Sequence, residues 1–357
     1  MSVLRPRRLR ASLLGSALAL VAALSAGGAV APVAAAADSA PTPVLSYAAF
    51  GDSLTRAAAT CGHSEADCPE NSWATGTSPQ VHSIAARLQQ ANPGRIVQAD
   101  NFAKSGSRIA DVAEAVDLAR ASGASPELVT VLVGGNDLCS PDVPAGPDGY
   151  AMTPAADFSA SATRLLEQIT VTWPRAKVLV ASVPDIASEW QAVKGGSGEL
   201  IWRLFSVCRT TRGADAANHA QTGAAYTAAV GAAAERTTQY NEALADACSA
   251  AGPRCVWDGG ALARTAISSD LLSTVDWFHP NVRGQALIAE VVWGARAVRD
   301  WAVPPSSSAP AAIRGAAPAT DPDVDASPEK RREIGMPENV TERVRLGRPS
   351  VPAVDAG

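Results

Sequence analysis

Lysine is almost absent: only Lys104, Lys177, Lys194 and Lys330 occur in 357 residues. An acidic chain this poor in lysine argues against nucleic acid as a partner, since phosphate binding needs basic clusters. Several catalytic signatures are also missing. No G-x-S-x-G elbow occurs, which argues against an α/β-hydrolase. Neither a Walker loop nor an HExxH pair is present. DPDVDAS at 321–327 lacks the Gly at position six and the Glu at position twelve of a calcium loop. Past the first forty residues, no apolar run is long enough to span a bilayer. No internal repeat is visible.

What is present divides into three parts. Arg5, Arg7, Arg8 and Arg10 precede an apolar run from Leu13 to Ala31, followed by Ala34–Ala37. This pattern predicts a secretory signal peptide over 1–37 and an extracellular protein. Without those four arginines the formal charge moves from −5 to −9. From about Val303 the chain is rich in Pro, Ser, Ala and mixed charge, with no periodic apolar pattern, and 303–357 reads as a disordered tail. The remaining residues, 38–302, suffice for one domain with a substantial core.

Cysteines number six: Cys61, Cys68, Cys139, Cys208, Cys248 and Cys255. In an oxidising compartment an even number points to disulfides. Local spacing favours Cys61–Cys68 and Cys248–Cys255, leaving Cys139–Cys208. The competing reading is a metal site at Cys61, His63 and Cys68, which oxidised sulfurs would not support.

Short apolar runs at 44–50, 95–99, 128–133, 177–183 and 255–257 alternate with helical patterns. Those patterns include Val81–Leu88, Ile109–Ala119, Leu165–Ile169, 222–251 and 285–302. Continuous apolar strands alternating with helices predict a parallel sheet covered on both faces, a three-layer α/β/α domain. Ligand sites in such sheets lie beyond the strand C-termini. Ser53, just after the first run, stands at such a position.

A serine hydroxyl needs an adjacent base to act as a nucleophile, and that base needs a partner. Four histidines are available. His63 lies in a loop bounded by cysteines, His82 has no acid near it in sequence, and His219 with Asp215 reads as a solvated helix face. His279, in Asp276-Trp277-Phe278-His279-Pro280, follows an acid by three residues. One turn can aim the carboxylate at one ring nitrogen and leave the other for a serine. Gly- and Asn-containing turns after the second and third runs, Asn101–Ser107 and Gly134–Asp137, could donate N–H groups to an oxyanion.

GDSL at 51–54, Gly106 in NFAKSGS, GGND at 134–137 and DWFHP at 276–280 resemble, in order, the four sequence blocks of SGNH/GDSL hydrolases. The resemblance spans roughly 44–302 and extends to the secreted actinobacterial esterase and lipase type. It implies a flavodoxin-like sheet and a carboxylic-ester hydrolase. It also implies Ser53 as nucleophile, His279 as general base and Asp276 as its partner, with the Ser53 and Gly106 N–H groups and Asn136 forming the oxyanion hole. No cofactor and no metal are implied, and a monomer acting on an ester substrate is expected. A carbohydrate O-deacetylase would use the same machinery. A non-catalytic surface-binding module on this fold is the reading from another class. Substrate pockets are expected from 55–76, 139–155 and 185–225, with Trp190, Trp202, Leu204 and Phe205 as a candidate wall or lid, or as packing aromatics and aliphatics.

Overall fold

The computed structural model describes residues 42–62, 64–296 and 298–302. The predicted leader and tail lie outside the described residues. Five strands, β1 (Val44–Gly51), β2 (Ile96–Asn101), β3 (Leu128–Leu132), β4 (Lys177–Val180) and β5 (Cys255–Trp257), form one sheet in the order β2-β1-β3-β4-β5. Every pairing is parallel. The order reverses direction at β1, so the crevice between the C-terminal ends of β1 and β3 is the topological switch point.

Side chains of β1 explain why the run is apolar at almost every position. Leu45, Tyr47 and Ala49 face one core, which α2 (Ile84–Ala91), α9 (Val282–Gly294) and α10 (Val298–Ala302) cover. Ala48 and Phe50 face the other, under α3 (Val112–Ala121), α5 (Ala155–Thr172) and α8 (Gly223–Ala250). A strand covered on both sides cannot alternate apolar with polar. The polar groups that do enter are paired: the Tyr47 and Thr130 hydroxyls lie 2.7 Å apart. The three-layer α/β/α architecture is therefore the observed one.

Several boundaries differ from the sequence expectation. The run 177–183 ends as a strand at Val180 because side chains take over its backbone bonds. Ser182 N–H donates to Asp258 Oδ2 at 2.9 Å, and Val183 N–H donates to Asn241 Oδ1 at 2.8 Å. The helix expected over 285–302 breaks between α9 and α10. That break lets Trp301 turn back, donate to the Lys177 carbonyl and meet the Tyr47 ring edge-on. Three short helices gave no readable period: α4 (Gly135–Cys139), α6 (Ile186–Val193) and α7 (Ser197–Leu204). His219 is not on a helix face; it sits in the turn bridged by Ala214 and Ala220, exposed, with Nδ1 3.2 Å from Asp215.

Sulfur–sulfur bonds join Cys61 to Cys68, Cys139 to Cys208 and Cys248 to Cys255. His63 lies outside the described residues, and with Cys61 and Cys68 bonded to each other no thiolate is left there for a metal. Cys139–Cys208 spans 69 residues, whereas the other two span seven each. By chain entropy its loss should lower the unfolding free energy by about 4 kcal/mol, against about 2 for either short loop. Denaturant titration of the three paired Cys→Ala variants checks that ranking.

Candidate active site

The first strand runs to Gly51 and stops against its neighbour. A Cβ at Gly51 would lie 2.2 Å from the Leu132 carbonyl oxygen, so only glycine lets β1 approach β3 this closely at the switch point. Asp52 then caps a single helical turn, α1 (Ser53–Arg56), by accepting the Leu54 N–H at 2.9 Å. Ser53 is the first residue of that turn and is 6 % exposed. The turn is held from several sides. Gln285 of α9 accepts the Trp73 N–H and donates to the Leu54 carbonyl. Ser72 and Asn101 both donate to the Thr55 carbonyl.

From the far end of the domain, the Asp276–His279 turn reaches the same point. Asp276 Oδ1 accepts the Phe278 and His279 N–H groups, each at 3.0 Å. Oδ2 lies 2.5 Å from His279 Nδ1, and His279 Nε2 lies 2.8 Å from Ser53 Oγ. Ser273 fixes the turn by donating its N–H to the His279 carbonyl and its hydroxyl to the Ala59 carbonyl. Trp202 adds a bond from Nε1 to the Trp277 carbonyl, 2.8 Å long. Burial pushes the Asp276 carboxyl up, but the His279 ring and the two backbone N–H groups outweigh it and hold the group below its ordinary range.

Asn136 borders the same cleft as Ser53. The Ser53 and Gly106 N–H groups, which are expected to meet an oxyanion, have no hydrogen-bond partner among the described residues. Gly106 has φ +85, a conformation that favours glycine. Asn136 donates one amide hydrogen to the Ser107 carbonyl at 3.0 Å, which orients the amide and leaves its second hydrogen. Asn101, in the other candidate turn, is committed elsewhere: its side chain bonds Thr55, Thr75 and Ala103. Asp137 ties the two donor segments together, Oδ2 accepting the Ile109 N–H at 2.8 Å.

Ser53 opens onto a small cleft bordered by Leu54, Pro184, Ile186, Phe278, Asp52 and Glu189. Its enclosed part is small, about 10 Å³, room for one water, and the cleft continues into open solvent. Of the stretches expected to form pockets, 185–225 contributes only its beginning. Trp190 and Trp202 are buried, packed on each other at 5.7 Å, while Leu204 and Phe205 are exposed. Gln285 and Glu189 were not legible as site residues: each sits in a helix where it reads as an ordinary polar position.

Asp52 has a consequence for stability. Its Oδ2 is buried with no partner, and burial pushes its carboxyl from 3.8 to about 7, against the Leu54 N–H and His279. Between about pH 4 and pH 7 the unfolded chain releases this proton and the folded chain keeps it. The Asp52 contribution to stability therefore falls as pH rises through that window. Asp52→Asn should remove that fall. The stability difference, variant minus wild type, should grow by up to ~4 kcal/mol from pH 4 to pH 8. Urea titrations at both pH values measure it; a difference independent of pH would refute the buried-proton account.

Fold and site together define a class: a parallel α/β protein with a serine, a histidine and a carboxylate in line at the sheet's switch point. The chain belongs to the GDSL-like lipase/acylhydrolase family, which it matches over residues 47–292, and it is a carboxylic-ester hydrolase. No curated protein sequence matches it. Among solved structures it is similar to Est24, a carbohydrate acetylesterase from Sinorhizobium meliloti, at 15 % identity and a TM-score of 0.42, covering 70 % of this chain and 96 % of that one. It is also similar to the psychrotrophic esterase EstA from Pseudoalteromonas sp., at 14 % identity and a TM-score of 0.38, covering 72 % and 97 %. A family two carbohydrate esterase from Clostridium thermocellum matches at 16 % and 0.37, covering 71 % and 64 %. The family assignment rests on the sequence match. Among the described residues, no helix is long and apolar enough to cross a membrane.

Proposed function

We propose that the protein is a secreted serine esterase that cleaves carboxylic esters of short acyl chains through an acyl-enzyme. The carrying observation is the unbroken line from Asp276 through His279 to Ser53, with contacts of 2.5 and 2.8 Å. His279 Nε2 takes the Ser53 proton as Oγ attacks the ester carbonyl. The carbonyl oxygen becomes an oxyanion and is met by the Ser53 and Gly106 N–H groups and the Asn136 amide. Collapse re-forms the C=O bond and breaks the bond to the alkoxy oxygen, which leaves with the proton from His279. Water then attacks the acyl-enzyme, its proton passing to His279, and the acid departs as Ser53 recovers the proton. Asp276 remains ionised throughout, stabilising the imidazolium and fixing the ring.

The small enclosed space beside Ser53 supports short chains. The leader pattern over 1–37 and the three sulfur–sulfur bonds support secretion. O-deacetylation of a carbohydrate is the second reading, since the same triad would serve it and acetyl is among the smallest acyl groups. A fluorophosphonate should label Ser53, located by peptide mass, and chromogenic esters should be cleaved fastest between acetyl and butanoyl. Absence of labelling on the folded, oxidised protein would instead support a binding module, and a palmitoyl optimum would overturn the short-chain assignment. Asn136→Ala should lower kcat by about 10²–10³-fold with little change in KM, the cost of one oxyanion donor. Steady-state kinetics on a short chromogenic ester decide it; an effect confined to KM would assign Asn136 to binding instead.

A further inference from the structure

Helix α6 buries Ile186, Glu189, Trp190 and Val193, the i, i+3, i+4, i+7 stripe of an amphipathic helix. Three of these are apolar. Glu189 is the exception, a carboxyl at 4 % exposure in a seam where a hydrophobe would normally stand. An acid is rarely buried like this without a partner. Yet among the described residues the Glu189 carboxyl has no hydrogen-bond partner, and the residue borders the same cleft as Ser53.

Two carboxyls face it, Asp185 at the start of its own helix and Asp276 in the histidine turn. Burial first, then these two charges, push the Glu189 carboxyl well above its ordinary range. Burial beside two other carboxyls disfavours its charged form, and in the protonated form it has an O–H to donate. A donor that loses its solvent to a bound substrate and gains no acceptor in exchange is costly. The space beside it holds about one water, which a substrate oxygen would displace.

We infer that Glu189 is a recognition residue whose carboxyl donates a hydrogen bond to an oxygen of the substrate other than those of the scissile ester. The preferred substrates are thus oxygenated esters, carrying an ether, hydroxyl or carbonyl oxygen close to the bond cleaved. Plain alkyl esters fit the same space and leave the donor unpaired. This rests on the serine-esterase reading above and deepens it by naming the substrate class.

Matched ester pairs test it. A methoxyacetyl and a butanoyl ester of one alcohol differ only by an ether oxygen in place of a methylene on the acyl side. A 2-methoxyethyl and a butyl ester of one acid do the same on the alcohol side. The quantity read is the kcat/KM ratio, methoxy over alkyl, in each variant relative to wild type, so intrinsic reactivity cancels. Glu189→Met, similar in volume but without a donor, should lower this ratio about tenfold or more on one of the two pairs. Glu189→Gln, whose amide still donates, should stay within about threefold of wild type. The pair that responds shows on which side of the ester the oxygen lies. Ratios unchanged in Glu189→Met on both pairs would overturn the inference, as would Gln falling as far as Met. Glu189→Leu replaces the Met variant if that one does not fold. Failure of the underlying esterase reading is distinct: Ser53→Ala would then cleave all four esters as fast as wild type.

Discussion

Ser53→Ala should lower ester hydrolysis by about 10⁴-fold or more while leaving the fold intact. The Oγ is the only heavy atom lost. Its hydrogen-bonding neighbour, His279, keeps its anchor on Asp276, because the 2.5 Å contact does not involve Ser53. The helical turn carrying residue 53 is held by Asp52, Gln285, Ser72 and Asn101, none of which bonds the Ser53 side chain. The N–H groups of Ser53 and Gly106 and the Asn136 amide, the proposed oxyanion donors, also survive. Substrate should therefore still bind, and KM should move little beside kcat. Thermal unfolding of the variant should stay near that of wild type. A variant with a substantial fraction of wild-type activity would remove Ser53 from the chemistry, whatever its geometry.

Much of this site could be read before any coordinates. Strand β1 announced itself because burial on both faces leaves no polar positions, and Gly51-Asp52-Ser53 then marked where it ends. The acid-x-x-His spacing at 276–279 was legible because a single turn closes that contact locally. What could not be read depends on distance along the chain. Gln285 bonds Trp73 and Leu54 from more than 200 positions away, and no local pattern signals that. The turns carrying Asn101 and Asn136 looked alike by composition, and the family resemblance singled out Asn136. The packing adds the physical reason: Asn101 is committed to the Thr55 carbonyl, whereas Asn136 retains a hydrogen. The helices α6 and α7 were missed for a related reason. Each has eight residues, too few turns for a period to stand out among loop residues. Glu189 was hidden with them, since a glutamate on an unrecognised helix reads as solvated surface.

Asp276→Asn should be nearly as damaging as loss of the serine, costing about 10⁴-fold in kcat. The reason lies in which oxygen does what. Asp276 Oδ1 accepts two backbone N–H groups, from Phe278 and His279. An asparagine must keep its carbonyl oxygen at that place, since turning the amide over would set its NH₂ against both donors. The NH₂ group then falls where Oδ2 was, facing His279 Nδ1. A donor there requires Nδ1 to accept, so the ring proton moves to Nε2. In that tautomer Nε2 has no lone pair to take the Ser53 proton, although the ring has not moved. Asp276→Ala imposes no such tautomer, so the asparagine variant should be at least as impaired as the alanine one. Steady-state kinetics of the two variants, beside the ring ¹⁵N shifts of His279, make the comparison. If Asp276→Asn were clearly the more active of the two, the carboxylate would be acting only as a charge, and the tautomer argument would fall.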